Sequence, residues 1–460
     1  MTSWQGKKVL ILGAARQGLA TLRYLLKNGA SLTVNDIQPA EEFKDLVEKF
    51  KDQNIHWVFG EHPLTLLNHI DLIVVSGGIP LTQPILKEAI KRGIPLTNDS
   101  QLFLHSVKAK TIGITGSAGK TTTTALVGEI AKQSVRGDQK AWVGGNIGNP
   151  LIEHLDEIRE TDLVVMELSS FQLELMTCSP QIAAILNLSP NHLDRHENMQ
   201  AYIQAKVQIL RFQSAEDSAI LNCEDATTME LASLVRGRLV TFGHLPCGKY
   251  AGAYLDNDNL VYAEAGRKIA LIHRGKIKLR GEHNLMNALA ACAIAMSAGL
   301  PTESVRDGIG ALHSIPHRLE WVREWQGSNW YNDSIATAPE RTMAGLRAFD
   351  QPILLLLGGR DKNLPWDELA ALIHEKVDKV VLFGEAADLI ENAISGVKTG
   401  KLLRTIIKCE KFNDAVMKAA EIAEKGDTIL LSPGCTSFDE FRDFAARGER
   451  FIQLVKELPE

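Results

Sequence analysis

Residues 110–122 read Lys110-Thr111-Ile112-Gly113-Ile114-Thr115-Gly116-Ser117-Ala118-Gly119-Lys120-Thr121-Thr122, and this stretch decides the fold. A β-branched run ends in a Gly-rich turn, and a helical pattern follows through Leu126, Val127 and Ile130. Glycine lets the backbone wrap closely around phosphates, and a helix N-terminus aims its N–H groups at them. Lys120 can reach the outer phosphates, and the Thr121 hydroxyl can ligate Mg²⁺. Gly116, Ser117, Ala118, Gly119, Lys120, Thr121 and Thr122 are therefore expected to hold a nucleoside triphosphate. The spacing is not the generic G-x-x-x-x-G-K-[ST]. Ile114 stands where its first glycine would be, and Gly116 makes the tighter T-G-S-x-G-K-T-T.

Upstream, Lys8–Leu12 reads as a buried strand followed by Gly13-Ala14-Ala15-Arg16-Gln17-Gly18 and a helical pattern at Leu19, Leu22, Leu25 and Leu26. Gly29 closes that helix, and Ser31–Asp36 is the next strand, the opening of a Rossmann-like unit. Ala15 replaces the middle glycine of the dinucleotide fingerprint, which argues for a single nucleotide or sugar nucleotide, with Asp36 near its ribose or base. Asp71–Val75 is a further strand, ending in Ser76-Gly77-Gly78-Ile79-Pro80. Asp99–Lys108 reads as the connection out of this first domain.

Downstream, Asp162–Met166 and Ile182–Leu186 are apolar throughout, as parallel strands covered on both faces should be. Residues 240–280 read as hairpins, and Asn284–Ser297 as a helix. A third domain begins near Ile315, with strands at Ile353–Leu357, Lys379–Phe383 and Thr428–Leu431. The expected fold is α/β with three domains: a Rossmann-like domain over 1–98, a P-loop domain with a parallel sheet over 99–314, and a Rossmann-like domain over 315–460.

Bulk properties narrow the partners. The chain has 460 residues and a formal net charge of -6, so no basic footprint points to nucleic acid. The longest weakly polar stretch, Ala288–Leu300, is too short to cross a bilayer. Six cysteines lie scattered without C-x-x-C pairs, the pattern of reduced thiols in a cytoplasmic protein.

Two strand ends carry further chemistry. Glu167 follows the strand ending at Met166, where a carboxylate faces the ligand crevice and offers Mg²⁺ an oxygen. A helix-starting glutamate is the plainer alternative. After the next strand, Asn191-His192-Leu193-Asp194-Arg195-His196 is denser in ionisable groups than solvation requires. His192 suits a metal or phosphate contact; the absence of nearby cysteine argues against zinc.

The set T-G-S-A-G-K-T-T, E-L-S-S-F-Q-L-E and N-H-L-D-R-H resembles the Mur ligase family, ATP-dependent amide-forming enzymes of peptidoglycan precursor synthesis. The match continues through Gly281-Glu282-His283-Asn284, His317-Arg318, Tyr331-Asn332-Asp333-Ser334 and Leu431–Phe441, in order along nearly the whole chain. The first domain and Ser437–Phe444 are most similar to the family's glutamate-adding members.

The resemblance implies UDP-MurNAc-L-Ala and glutamate as substrates, activation of a carboxylate as an acyl phosphate, and a chain acting as a monomer without membrane insertion. It implies that Lys120 neutralises the β/γ-phosphates, that Thr121 and Glu167 hold one Mg²⁺, and that His192 helps hold a second. Lys206 falls at the family's carbamylated lysine, although as a plain residue it reads as a solvated helix lysine. Asn284, Asn287 and His317 would face adenine, and Arg318 and Asp333 would complete the ATP site when the third domain closes. Asn146 matches the contact to the muramoyl-alanine end; Arg16, Gln17, Asp36 and Ile37 match the uridine end.

For glutamate, Thr337, Lys362, Ser437 and the backbone near Phe444 occupy matching positions. Ile335 departs from the lysine usual in Asp333-Ser334-Ile335-Ala336-Thr337-Ala338, and Arg360 is the residue expected to offset the lost charge. D-glutamate is the default acceptor and L-glutamate the alternative. Residues 1–98 argue against a folylpolyglutamate synthetase, Ala15 against a dehydrogenase, and Lys120, Glu167, His192 and Lys206 against a binding protein without activity.

Overall fold

The computed structural model describes residues 4–190, 195–279, 281–362, 364–397 and 402–459. Contacts divide the chain into two compact units: Met1–Lys278 with Glu282–Leu312, and Leu279–Gly281 with His313–Glu460. The first unit contains two sheets and the second contains one.

The N-terminal sheet has parallel strands in the spatial order Ile55–Phe59, Ser31–Asp36, Lys8–Leu12, Leu72–Val75 and Leu96–Thr97. Val9, Leu10, Ile11 and Leu12 are fully buried because helices cover both faces of this central strand. The order reverses at Lys8–Leu12, so the loops after it and after Leu72–Val75 diverge and open a crevice. Gly13 and Gly18 are required there. A Cβ on Gly18 would lie 1.8 Å from the Gly13 carbonyl oxygen.

The central sheet runs Arg267–His273, Asn259–Glu264, Ala251–Asp256, Arg238–Phe242, Ser218–Asn222, Ile182–Ile185, Lys110–Thr115, Leu163–Glu167 and Ala141–Gly145. Its pairings are parallel from Ala141–Gly145 through Ala251–Asp256, and the last two strands add antiparallel. The expected parallel sheet is thus extended by the hairpins read over 240–280. The strand Ser218–Asn222 was not anticipated, and Arg238–Phe242, whose end falls in the region read as hairpins, instead pairs parallel with both of its neighbours. The Gly-rich turn follows Lys110–Thr115, between Ile182–Ile185 and Leu163–Glu167, and leads into the helix Lys120–Ser134.

The stretch read as a connection, Asp99–Lys108, is mostly the helix Asp99–Ser106, and its residues Asp99–Phe103 are buried. Asn98 caps it and donates from Nδ2 to the Gln172 carbonyl at 2.7 Å, while Gln172 Nε2 donates to Ser100 Oγ at 2.8 Å. One apolar core joins both sheets of this unit, from Val9 and Leu22 through Phe103 to Leu151 and Val164.

The sheet of the second unit runs Glu320–Trp325, Ser328–Asn332, Thr428–Gly434, Ile353–Gly358, Val377–Phe383 and Thr405–Lys408, parallel except for the first pair. That pair is a tight hairpin turning through Gln326 and Gly327, both with positive φ. Six free cysteines and no helix long and apolar enough to cross a membrane are found among the described residues.

Candidate active site

The Gly-rich turn after Lys110–Thr115 is fastened from the neighbouring strand end. Asn187 Oδ1 accepts from Ala118 N at 2.8 Å, its Nδ2 donates to the Ala118 carbonyl at 3.1 Å, and its own carbonyl accepts from Ser117 N at 3.0 Å. Ser117 Oγ donates to the Ser189 carbonyl at 2.8 Å and accepts from Tyr202 OH at 3.0 Å. The turn is therefore shaped in advance. Gly119 sits at φ +81°, and a Cβ there would lie 2.4 Å from Asn287 Oδ1. Lys120 Nζ donates to the Gly116 carbonyl at 2.9 Å and the Ser117 carbonyl at 3.2 Å, over the mouth of the turn. Thr122 is fully buried, and its hydroxyl has no hydrogen-bond partner among the described residues. What Thr122 can offer a phosphate is its backbone N–H in the first helical turn.

Glu167 ends the adjacent strand, buried, and its two oxygens do different things. Thr121 Oγ1 donates to Oε2 at 2.9 Å, and Asn146 Nδ2 donates to Oε1 at 2.8 Å. Asn146 also lines a cleft of about 370 Å³ over the N-terminal sheet, together with Arg16, Gln17, Asp36 and Ile37. Arg16 Nη2 donates to the Asn146 carbonyl at 3.3 Å. The residues expected at the two nucleotide sites thus meet through one carboxylate. Asp36 also closes its loop: its oxygens accept from Ala14 N at 2.8 Å and Gln38 N at 3.0 Å.

Lys206 is not a solvated helix lysine. It lies on the buried face of the helix Met199–Arg211, 1% exposed, with Nζ donating to Thr115 Oγ1 at 3.2 Å. Burial, with the nearby Lys120 charge second, holds its amine well below the usual lysine range, and Glu167 opposes both. His192 lies outside the described residues, so its place in this cluster is not part of the geometry.

Asn284 and Asn287 share a face of the helix Glu282–Ser297, with Asn287 Nδ2 donating to Asn284 Oδ1 at 3.0 Å. Thr123 Oγ1 lies 3.4 Å from Asn287 Oδ1, which seats the pair against the phosphate turn.

The second unit has its own cluster. Asp333 is buried and accepts from Leu319 N at 3.2 Å and from Ser432 Oγ at 2.8 Å. Burial pushes its carboxyl up to about 7, against the pull of Arg318 and Arg341. His317, at φ 62°, lies 3.0 Å from Asn332 Nδ2 through its Nδ1 and packs edge-on to Phe444. Lys362 Nζ donates to Thr337 Oγ1 at 3.4 Å, and Ser437 is buried.

Arg360, the residue expected to offset the lost charge at position 335, is paired with a carboxylate. Its guanidinium makes two hydrogen bonds to Glu385, at 2.8 and 2.9 Å. A second arginine, missed in the sequence, organises this region. Arg447 is fully buried and donates to Ser334 Oγ and to the carbonyls of Ser334, Cys435 and Thr436. Only its place seven residues after Glu440, on an amphipathic helix, hinted at it.

The donor set fits a magnesium nucleotide. Thr121 and Glu167 are hard oxygen ligands, beside a helix start and the Lys120 ammonium. No group of three or more His, Cys, Asp or Glu among the described residues forms a closed metal cage. Mg²⁺ keeps waters and shares its ligands with phosphates, so the two oxygens of Thr121 and Glu167 are of the kind it takes from a protein.

Three family models match the chain in order: "Mur ligase MurD-like, N-terminal domain" over residues 7–98, "Mur ligase middle domain" over 114–295, and "Mur ligase, glutamate ligase domain" over 317–435. A UDP-N-acetylmuramoylalanine–D-glutamate ligase of Symbiobacterium thermophilum is 40% identical over 98% of both chains. One from Acetivibrio thermocellus is 37% identical over 99% of this chain and 97% of its own. Among solved structures, UDP-N-acetylmuramate–alanine ligase of Thermotoga maritima superposes with a TM-score of 0.59 at 18% identity, covering 98% of this chain and 100% of that one. MurF from Acinetobacter baumannii gives 0.56 at 18% identity, covering 98% and 92%. At such identities these structures speak for the fold alone.

Proposed function

The chain belongs to the Mur ligase family, and on that premise we propose that it joins D-glutamate to UDP-N-acetylmuramoyl-L-alanine, with ATP as phosphoryl donor. Members of this family are ATP-dependent and need Mg²⁺. The relatives named above act on this acceptor and this sugar nucleotide, and both cover essentially all of the chain.

One observation carries the reading: Glu167 takes Thr121 on one oxygen and Asn146 on the other. A sugar nucleotide in the cleft lined by Arg16, Gln17, Asp36 and Ile37 would run toward Asn146. Its alanyl carboxylate would then lie beside the outer phosphate held at Gly116–Thr122. Transfer of that phosphoryl group makes an acyl phosphate, which the glutamate amine attacks, expelling phosphate. Such chemistry needs positioning and charge neutralisation rather than a protein nucleophile. Lys120 supplies the cation at the γ-phosphate. Thr121 and Glu167 would hold Mg²⁺, which when bound offsets the charge on the phosphate oxygens.

Lys206 is the finer point. Burial favours the uncharged amine, the form that can add CO₂, and the resulting carbamate presents oxygens where an ammonium would repel Mg²⁺. A carbamylated Lys206 with His192 is our proposal for a second Mg²⁺ site. We assign Asn284, Asn287, His317, Arg318 and Asp333 to the nucleotide, and Thr337, Lys362, Ser437 and the Phe444 backbone to glutamate. The partition 1–98, 99–314 and 315–460, a monomeric state and a cytoplasmic location complete the proposal.

Phosphate release should require ATP, UDP-MurNAc-L-Ala and D-glutamate together. Release with neither co-substrate would sink the reading, and equal rates with L-glutamate would overturn the choice of enantiomer.

A further inference from the structure

The lip of the sugar-nucleotide cleft, Ser76-Gly77-Gly78-Ile79-Pro80, carries no charged side chain. It is gripped from the central sheet. Arg195 Nη2 donates to the Gly78 carbonyl at 2.9 Å, and its guanidinium carbon lies 4.9 Å from the centre of the Phe171 ring. Phe171 is stacked on His196, with centroids 5.3 Å apart and planes within 5°. His196 Nε2 is 2.9 Å from Ser170 Oγ, and its ring meets Tyr202 edge-on at 5.3 Å. Tyr202 OH donates to Ser117 Oγ in the phosphate turn, and Lys206 Nζ lies 4.8 Å from the Tyr202 ring centre. A continuous line of contacts therefore runs from the cleft lip to the ATP turn.

This line is not solid core. A cavity of about 320 Å³ opens beside it, lined by Ser76, Ile79, Pro80, Phe171, Arg195 and His196. Arg195 Nε is buried without a hydrogen-bond partner among the described residues. Among the described residues the guanidinium is thus held by the Gly78 carbonyl, the Phe171 ring face and the nearby Glu174 carboxylate, contacts at a cavity wall that can be broken without unfolding what surrounds them.

The geometry points to Arg195 as a positioning residue, whose grip on the Gly78 carbonyl sets the sugar-nucleotide lip in register with the ATP turn. This rests on the ligase reading and adds to it a residue that touches neither reacting group. Lysine cannot substitute, because a compact ammonium lacks the planar face that packs on Phe171 while a second nitrogen donates to Gly78.

The test compares Arg195→Ala and Arg195→Lys with the full chain, titrating UDP-MurNAc-L-Ala calorimetrically and measuring each KM separately. Both variants should bind UDP-MurNAc-L-Ala about tenfold more weakly, the loss expected for one charge-assisted hydrogen bond. The KM for ATP should stay within about twofold, which a general loosening of structure would not allow. Adding Phe171→Leu to Arg195→Ala should weaken binding no further, because the two act as one unit. Unchanged UDP-MurNAc-L-Ala affinity, rescue by lysine, or equal weakening of both substrates with a lower Tm would each overturn the proposal. The titration needs no turnover. A wild-type chain that bound UDP-MurNAc-L-Ala but formed no amide would sink the ligase reading and leave Arg195 to be judged by binding.

Discussion

Two Gly-rich turns in the first unit follow the same plan and serve different ends. Gly13–Gly18 and Gly116–Lys120 each leave a central parallel strand at a reversal of strand order and open a helix. Around the second, Asn187, Ser189 and Tyr202 fix the backbone, and Lys120, Glu167 and the buried Lys206 gather ionisable groups within reach of it. Around the first, Asp36 closes the loop onto Ala14 N, and the turn's own cation, Arg16, is exposed and reaches toward Asn146. The first turn can hold a ligand; the second can change one. A nucleotide-binding turn becomes a catalytic one through what adjacent strand ends bring to it.

The sharpest break of this contrast is Lys120→Ala. Turnover should fall about a thousandfold, as for loss of a charge acting on the transition state, with UDP-MurNAc-L-Ala binding intact by calorimetry. A fall below tenfold would remove the distinction. Lys206→Met should lower turnover by about a hundredfold yet raise Tm by roughly 2–4 °C at pH 7 in bicarbonate-free buffer. Burial holds the folded pKa well below that of an ordinary lysine, so the native state disfavours a proton that the unfolded chain keeps. Stability contributed at Lys206 therefore rises with pH, and the methionine's advantage should be largest at low pH and shrink toward pH 10. A Tm advantage that did not shrink would contradict the buried amine.

On the other turn, Arg16→Ala should raise the KM for UDP-MurNAc-L-Ala about fivefold with kcat nearly unchanged, since the loss is in binding alone. A matching fall in kcat would assign this turn to the chemistry too. The smallest effect concerns the second unit. Asp333 titrates near 7 when folded against 3.8 in the reference state, so the native chain holds a proton that the unfolded chain releases between those values. Its contribution to stability is lost as pH rises through that window. The Tm of Asp333→Asn relative to wild type should therefore climb by a few degrees from pH 5 to pH 8. A constant difference would show that Asp333 is already ionised when folded.

Local pattern made the parallel strands, the phosphate turn and Glu167 legible, because period, strand end and glycine spacing are all read within a few residues. Long-range contacts were not. Nothing beside Asn187 or Tyr202 marks them as fasteners of a turn some seventy residues away or more, and Arg447 serves loops that lie far apart in the chain. Lys206 shows the limit most plainly: its burial depends on which face of Met199–Arg211 meets the sheet. The pairing of Arg360 with Glu385 was hidden for the same reason, because Glu385 lies on another loop.

The central claim is that the turn at Gly116–Thr122 phosphorylates a carboxylate delivered from the cleft at Gly13–Gly18. It is tested most directly with UDP-MurNAc-L-Ala carrying ¹⁸O in the alanyl carboxylate, turned over with ATP and D-glutamate. Each phosphate released should carry one ¹⁸O atom, passed from the carboxylate through the acyl phosphate. Phosphate free of label, with the oxygen drawn from water instead, would contradict the account.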